Sequence, residues 1–305
     1  MDIPVALKQL MAEIGPRWAS TGAVAANVAL MCKEFAKVLV DAPKDGVEVG
    51  LDIAYGDDPR QRLDVFRPDA ARSSGKAAMP IVVFVHGGAF VEGDRNRNDE
   101  IYANVLYYFA RHDIVGINME YRLAPAHVYP SGTVDVGLAV AWARAHAAEI
   151  GGDPDQVFVM GHSAGGAHAA SYAYDTQFHP AQGVGIRGLI LVSGRVRAEN
   201  RPENPNARKV EAYYGNDVEV MNAHSAVTSA RADSVPTFIA FAEFENPLID
   251  VHSLELASRL AQLQGRAPRV LSLRGHNHTS IVAHMNTSED LLGTEILAFI
   301  NDLRS

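Results

Sequence analysis

The 305-residue sequence holds a single cysteine, Cys32. An intramolecular disulfide is therefore excluded, as is a zinc site built on several thiolates. Such sparing use of cysteine suits a reducing compartment. Positive charge is also short: 27 Lys and Arg stand against 36 Asp and Glu, a net charge of −9. Nucleic-acid binding relies on clustered Lys and Arg to neutralise phosphates, so it is disfavoured as a function. A membrane-spanning run is missing too. The apolar, alanine-rich stretch Gly22–Cys32 is well short of the roughly 20 residues a helical span needs, and Lys33 and Glu34 follow at once. Met1-Asp2-Ile3-Pro4 opens on an acidic charge with no compact apolar core behind it, unlike a secretory signal. A cytoplasmic protein with no membrane and no nucleic-acid partner is expected.

What is present is ample apolar material, 48% of the residues, enough for a substantial core without disulfides. Residues 3–40 read as helical, with Gly15-Pro16 as a break. In the second helix Val24, Val28, Met31, Phe35 and Val38 recur at helical spacing. Beyond Pro43 the pattern turns to strands, Val47–Tyr55 and Gln61–Phe66, joined by the turn Gly56-Asp57-Asp58-Pro59. From Pro80 strands and helices alternate. The strands are Ile81–Val85, Ile114–Met119, Gln156–Met160, Gly188–Val192, Thr237–Phe241 and Arg269–Leu273; the helices are 98–111, 132–149, 164–176, 248–264 and 288–303. Ser131 is a suitable cap for the second of these helices, and Gly151-Gly152 ends it. Continuous apolar strands such as Ile81-Val82-Val83-Phe84-Val85 fit a parallel sheet covered on both faces, hence an α/β fold. Ala71–Lys76 and Arg195–Asn206 read as loops. The N-terminal helices lie outside the alternation, and packing over the sheet edge as a lid would bury their apolar sides.

One strand ends abruptly in Gly161-His162-Ser163-Ala164-Gly165-Gly166. A G-x-S-x-G stretch between a strand and a helix puts its serine on a sharp turn, exposed at the carboxyl end of the sheet. The small residues around Ser163 satisfy the tightness of such a turn, whereas a capping serine in an ordinary Gly-rich turn is the bland reading. The side chain of His162 is expected to point away. A serine nucleophile needs a base, and among twelve histidines His276 and His278 share a loop directly after the last strand. The loop context leaves both open, and the motif comparison below, taken with it, favours His278. His112, His146 and His179 read as surface or packing residues. The base in turn needs a carboxylate to fix its tautomer. Glu243, Glu245 and Asp250 all follow the strand Thr237–Phe241, in the chain order Ser, acid, His. Finally, Val85-His86-Gly87-Gly88-Ala89-Phe90 follows another core strand, where residues with little or no side chain let backbone N–H groups face one point as donors to an oxyanion.

Together these stretches resemble an α/β-hydrolase, and within that fold the hormone-sensitive-lipase-like carboxylesterases. His86-Gly87-Gly88-Ala89-Phe90 is similar to the family's H-G-G-G-F/W motif, and Tyr121-Arg122-Leu123-Ala124-Pro125-Ala126-His127 to its Y-R-L-A-P-E-H signature. Gly151-Gly152-Asp153-Pro154 with Gly161–Gly166 resembles its nucleophile segment, and Glu243–Pro247 its G-E-x-D-P acid loop. The resemblance covers about residues 45–300. It implies a central, mostly parallel β-sheet flanked by helices, with a small N-terminal helical cap over 1–45 and the catalytic domain over 46–305, one structural domain overall. It implies Ser163 as nucleophile, His278 as base and Glu245 as acid, with Gly88, Ala89 and Ala164 as oxyanion donors. The chain departs from the pattern in three places: Ala89 stands for the third glycine, Ala126 for the glutamate, and Glu245 for the usual aspartate, with Asn246 inserted before Pro247.

Hydrolysis of small carboxylic esters through an acyl-enzyme is the expected activity, with no metal and no organic cofactor. Trp18, Phe35 and Phe90 are candidates to line the substrate pocket. The resemblance implies short-chain acyl substrates and leaves room for a homodimer. Arylformamidases share these motifs, with tryptophan in place of Phe90, so amide or formamide cleavage on the same triad is the alternative. A non-catalytic ligand receptor of this fold would typically lack the base. Ser163 in the elbow disfavours an aspartate-nucleophile hydrolase.

Overall fold

A computed structural model describes residues 2–20, 22–70 and 78–304. The expected loop at 71–76 lies outside the described residues. Eight strands form one sheet: β1 (Val47–Ala54), β2 (Arg62–Pro68), β3 (Met79–Val85), β4 (Val115–Met119), β5 (Gly152–His162), β6 (Gly188–Val192), β7 (Thr237–Phe244) and β8 (Arg269–Asn277). Their order is β1-β2-β4-β3-β5-β6-β7-β8. β1 and β2 pair antiparallel, β2 runs antiparallel to β4, and every pair from β4 onwards is parallel. The expected eight strands are all present, and the sheet is mostly parallel as the apolar runs require.

Alternation along the strands divides the core. Val82, Phe84, Phe158, Met160, Ile190 and Val192 face one side, where they meet α1 (Val5–Ile14), α2 (Val24–Leu39) and the helices Ala103–Arg111 and Leu291–Asp302. Ile81, Val83, Val85, Val157, Val159, Leu189 and Leu191 face the other, against the helices Ser131–Ala145, Ala164–Tyr174 and Ile249–Gln264. β3, β4 and β6 are buried along their whole length. Such burial, at roughly 1.5–3 kcal/mol per large aliphatic side chain, fixes which residues a strand can turn inward.

Two local expectations change. Ser131 is the first residue of its helix rather than its cap; its hydroxyl donates back to the His127 carbonyl at 2.9 Å, and Pro130 occupies the cap position. Three short helices, Ala207–Tyr214, Val218–Ala223 and Ala226–Ser229, follow the 195–206 loop where no helix was expected. They are four to eight residues long, too short for periodicity to register. α2 buries Met31, Phe35 and Leu39 in the core, and the Gly15–Arg17 turn packs beside β7 and β8. Among the described residues, no helix is long and apolar enough to cross a membrane.

Candidate active site

The site gathers at the carboxyl ends of β3, β5, β7 and β8. β5 stops at His162, and Ser163 takes φ 55°, ψ −121°, a conformation hostile to a side chain, before the helix Ala164–Tyr174 begins. The turn closes tightly enough that a Cβ at Gly165 would sit 2.1 Å from the Val85 carbonyl oxygen. Ser163 Oγ, so presented, lies 2.9 Å from His278 Nε2. His278 Nδ1 lies 2.6 Å from Glu245 Oε2. A carboxylate can only accept, so Nδ1 carries the proton and Nε2 offers its lone pair to the serine hydroxyl. Both His278 and Glu245 are buried, at 4% and 8% exposure, which strengthens the electrostatic coupling between them.

The competing residues fall elsewhere. Glu243 is exposed and accepts from the Gly275 N–H at 2.8 Å. Asp250 lies in the first turn of the helix Ile249–Gln264, and no hydrogen bond joins it to His278 among the described residues. His276 turns away from Ser163 towards Ser280 Oγ at 3.1 Å and the Glu289 carboxylate at 3.3 Å.

Glu245 is held by more than His278. The Ala242 N–H donates to its Oε1 at 2.8 Å, and the Ser193 hydroxyl donates to the same oxygen. Ser193, at the end of β6 with φ 49°, has no signal in the sequence that sets it apart from other strand-end serines. His162 departs from expectation. Its ring does not point away but lies under the His278 loop, with Nε2 donating to the His278 carbonyl at 2.9 Å and the Tyr102 hydroxyl 3.3 Å from Nδ1. Burial holds it well below the usual imidazole range, so it is neutral.

The donor loop follows β3. Gly88, Ala89 and Phe90 all have positive φ, at 157°, 49° and 72°. A Cβ on Gly88 would meet the Glu92 carbonyl oxygen at 1.7 Å, so only glycine fits there. Ala89 adopts its left-handed φ despite its methyl. The N–H groups of Gly88, Ala89 and Ala164 meet no acceptor among the described residues. Behind the loop, His86 Nε2 lies 2.7 Å from Glu120, its ring stacks on Tyr121 at 4.4 Å, and the Tyr121 hydroxyl donates to the His86 carbonyl at 2.9 Å. The Tyr121-Arg122 stretch is thus the support of the donor loop, with Arg122 anchored on Asp135 at 2.8 Å.

Ser163, His278, Gly88 and Ala89 open into a cavity of about 360 Å³. Val24, Ala25, Val28 and Cys32 of α2 form its apolar wall, with Ile101 and Val282; Glu92, Arg97, Asn206 and Lys209 line a polar side. The three aromatic residues expected to line it do not. Phe35 is fully buried in the core below α2. Phe90 stacks on Tyr213 at 4.9 Å and packs against His168 and Tyr214. Trp18 is 1% exposed and donates from Nε1 to Asn246 Oδ1 at 2.9 Å, and it is Asn246 that reaches the cavity. Large aromatic side chains are drawn to the core by their area, whereas the smaller Val24, Ala25 and Val28 of α2 leave the space open.

Comparison with known proteins follows this geometry. Esterase LipC of Mycobacterium tuberculosis is 35% identical over 167 residues, covering 52% of this chain and 40% of LipC, so the match spans less than half of that relative. The versiconal hemiacetal acetate esterase of Dothistroma septosporum is 27% identical over 233 residues, covering 69% of each chain. Among solved structures, a bacterial heroin esterase superposes with a TM-score of 0.72 at 26% identity, covering 91% of both chains. The BD-FAE family matches residues 63–260, a span that runs from β2 through the donor loop and the Ser163 turn to the acid loop. With its elbow, donor loop and parallel sheet all inside or beside that match, the chain belongs to the BD-FAE family, of the α/β-hydrolase type, and is similar to the esterases named above.

Proposed function

We propose that this protein hydrolyses small carboxylic esters through an acyl-enzyme formed on Ser163. The observation that carries the reading is the hydrogen-bonded series Ser163 Oγ, His278 Nε2, His278 Nδ1, Glu245 Oε2, at 2.9 and 2.6 Å. His278 takes the hydroxyl proton as Oγ attacks the ester carbonyl carbon. The carbonyl oxygen becomes an oxyanion facing the Gly88, Ala89 and Ala164 N–H groups, whose free donors are already oriented and need no reorganisation. Collapse of the intermediate breaks the bond to the alcohol oxygen, which leaves with the proton held on His278 Nε2. Water, deprotonated by the same nitrogen, then attacks the acyl carbon and releases Ser163 and the acid. Glu245 keeps Nδ1 protonated throughout and stabilises the transient imidazolium.

The size of the cavity and the apolar wall given by Val24, Ala25 and Val28 support short acyl or alcohol groups over long chains. A cytoplasmic location fits the single cysteine. The deciding experiment is an assay with p-nitrophenyl acetate, butyrate and octanoate, run beside Ser163→Ala. Turnover of the two short esters that disappears in the variant is the expected result. Equal turnover by both proteins sinks Ser163 as nucleophile, and inactivity of both on every ester sinks ester hydrolysis.

A further inference from the structure

Asn246 is the residue inserted between Glu245 and Pro247, and it is 4% exposed. Its amide orientation is fixed by chemistry. The indole Nε1–H of Trp18 can only donate, so the atom it meets at 2.9 Å is Oδ1, and the NH2 group faces the opposite way. That NH2 has no acceptor among the described residues, yet it is not one of the sealed, unpartnered buried atoms. Asn246 lines the same cavity as Ser163 and His278, and a cavity is the kind of space an unpartnered NH2 group needs to find an acceptor. A buried donor left without an acceptor is costly unless a bound group accepts from it. The apolar wall of the cavity, Val24, Ala25 and Val28, supplies no acceptor side chain.

We infer that Asn246 is a specificity-determining residue: its NH2 group selects esters that carry a hydrogen-bond acceptor, an ether, carbonyl or hydroxyl oxygen, on the group lying in the cavity. This rests on the ester-hydrolase reading of the site. Trp18, from the segment between α1 and α2, is a positioning residue that acts through Asn246 by holding its amide in one orientation. Trp18 thereby influences selectivity without itself lining the cavity. A site built to hydrogen-bond a substrate group rejects an analogue lacking it more strongly than an apolar pocket rejects an extra methylene.

Isosteric ester pairs test this, each differing only by oxygen in place of one CH2. On the acyl side the pair is p-nitrophenyl 3-methoxypropanoate and p-nitrophenyl pentanoate; on the alcohol side it is 2-methoxyethyl butanoate and butyl butanoate. The quantity read is the ratio of kcat/KM for the oxygenated ester to that for its partner. Intrinsic reactivity cancels when that ratio is compared between wild type and variants. Asn246→Asp keeps an acceptor for Trp18 but replaces the donor; Asn246→Leu removes both. In at least one pair the ratio is expected to fall about 5- to 10-fold in both variants, the scale of one neutral hydrogen bond. Trp18→Phe is expected to give a smaller fall in the same pair. An unchanged ratio in both pairs, with folded variants, overturns the inference and leaves Asn246 as a tether for Trp18. Absence of turnover by wild type on all four esters condemns the reaction instead. The matching ketones, with CH2 replacing the ester oxygen, then carry the test by calorimetry. A Kd ratio shifted by Asn246→Asp supports the inference, and an unshifted one overturns it.

Discussion

His162 Nε2 donates to the carbonyl oxygen of His278 at 2.9 Å, so the residue preceding the candidate nucleophile holds the backbone of the candidate base. Because His162 is neutral and Nε2 carries its proton, Nδ1 accepts from the Tyr102 hydroxyl, which also receives the Gly87 N–H at 3.3 Å. One buried path of hydrogen bonds therefore joins the donor loop to the base loop. Placement matters here at the level of tenths of an ångström, since misplacement by about 1 Å costs on the order of 10²-fold in rate. His162→Phe, which fills the space without a donor, is expected to lower kcat by about 10- to 100-fold while KM changes little. Asn in its place is expected to recover part of the loss. Steady-state kinetics on p-nitrophenyl butyrate checks this, and a kcat equal to wild type would show that the His278 loop needs no such support.

The acid is assigned by substituting each candidate in turn. Glu245→Gln offers an amide that lets the His278 ring adopt the wrong tautomer, and kcat is expected to fall about 10³- to 10⁴-fold. Glu243→Gln, at an exposed carboxylate that accepts from the Gly275 N–H, and Asp250→Asn are expected to stay within about threefold of wild type. Ser193→Ala removes one of the donors that orient Glu245 and is expected to cost about tenfold. Comparable losses at Glu243 and Glu245 would refute the assignment.

Much of this was readable beforehand, for physical reasons. A strand buried on both faces, such as β3 or β6, must be apolar along its whole length, and a sharp strand-to-helix turn must be lined with glycine. Those demands are local, so they surface as contiguous motifs. The support around the site is not local. Ser193 comes from β6, Tyr102 from the segment before a helix, and Trp18 lies 228 residues from Asn246. No spacing rule links such partners. His162 was misread because neighbouring side chains in a strand point to opposite faces, but the strand has ended by Ser163, and the positive φ there breaks the alternation. Phe90 follows a motif and Trp18 and Phe35 belong to the segment that covers the site, but neither position says which side of the backbone a ring occupies.

Ala89 provides a stability test within the donor loop. Its φ of 49° costs an L-residue with a Cβ about 1 kcal/mol relative to glycine. Ala89→Gly relieves that strain, although the freer unfolded chain offsets part of the gain. The variant is expected to be as stable as wild type or more stable by up to about 1 kcal/mol, with activity within a few-fold because the backbone N–H is kept. Urea unfolding followed by an ester assay measures both. Marked destabilisation would mean that the Ala89 methyl makes packing contacts that outweigh the backbone strain.

Acid should weaken the fold well before the carboxylates are titrated. Burial pushes His168 and His284 down to about 3 and His252 to about 4, from an ordinary value of 6.5. In the unfolded chain these imidazoles protonate near 6.5; in the folded protein they stay neutral until the pH is far lower. Between those limits the unfolded state binds more protons, so stability is complete above about pH 6.5 and is lost progressively as the pH falls below it. Each histidine contributes on the order of 1 kcal/mol per pH unit in that window. His168 is the plainest case: its ring is packed against Tyr121, Tyr213 and Phe90, and among the described residues its Nε2 has no hydrogen-bond partner to stabilise a proton. Thermal unfolding measured from pH 7.5 to 5.0 is expected to show a Tm that is steady down to about 6.5 and then drops by several degrees. His168→Phe, which removes one of the titrating groups and keeps an aromatic ring, should make the drop shallower. A Tm that holds or rises towards pH 5 would mean that these rings find a route to water or a carboxylate on protonation, and that the interior around the helix Ala164–Tyr174 is less closed than its packing indicates.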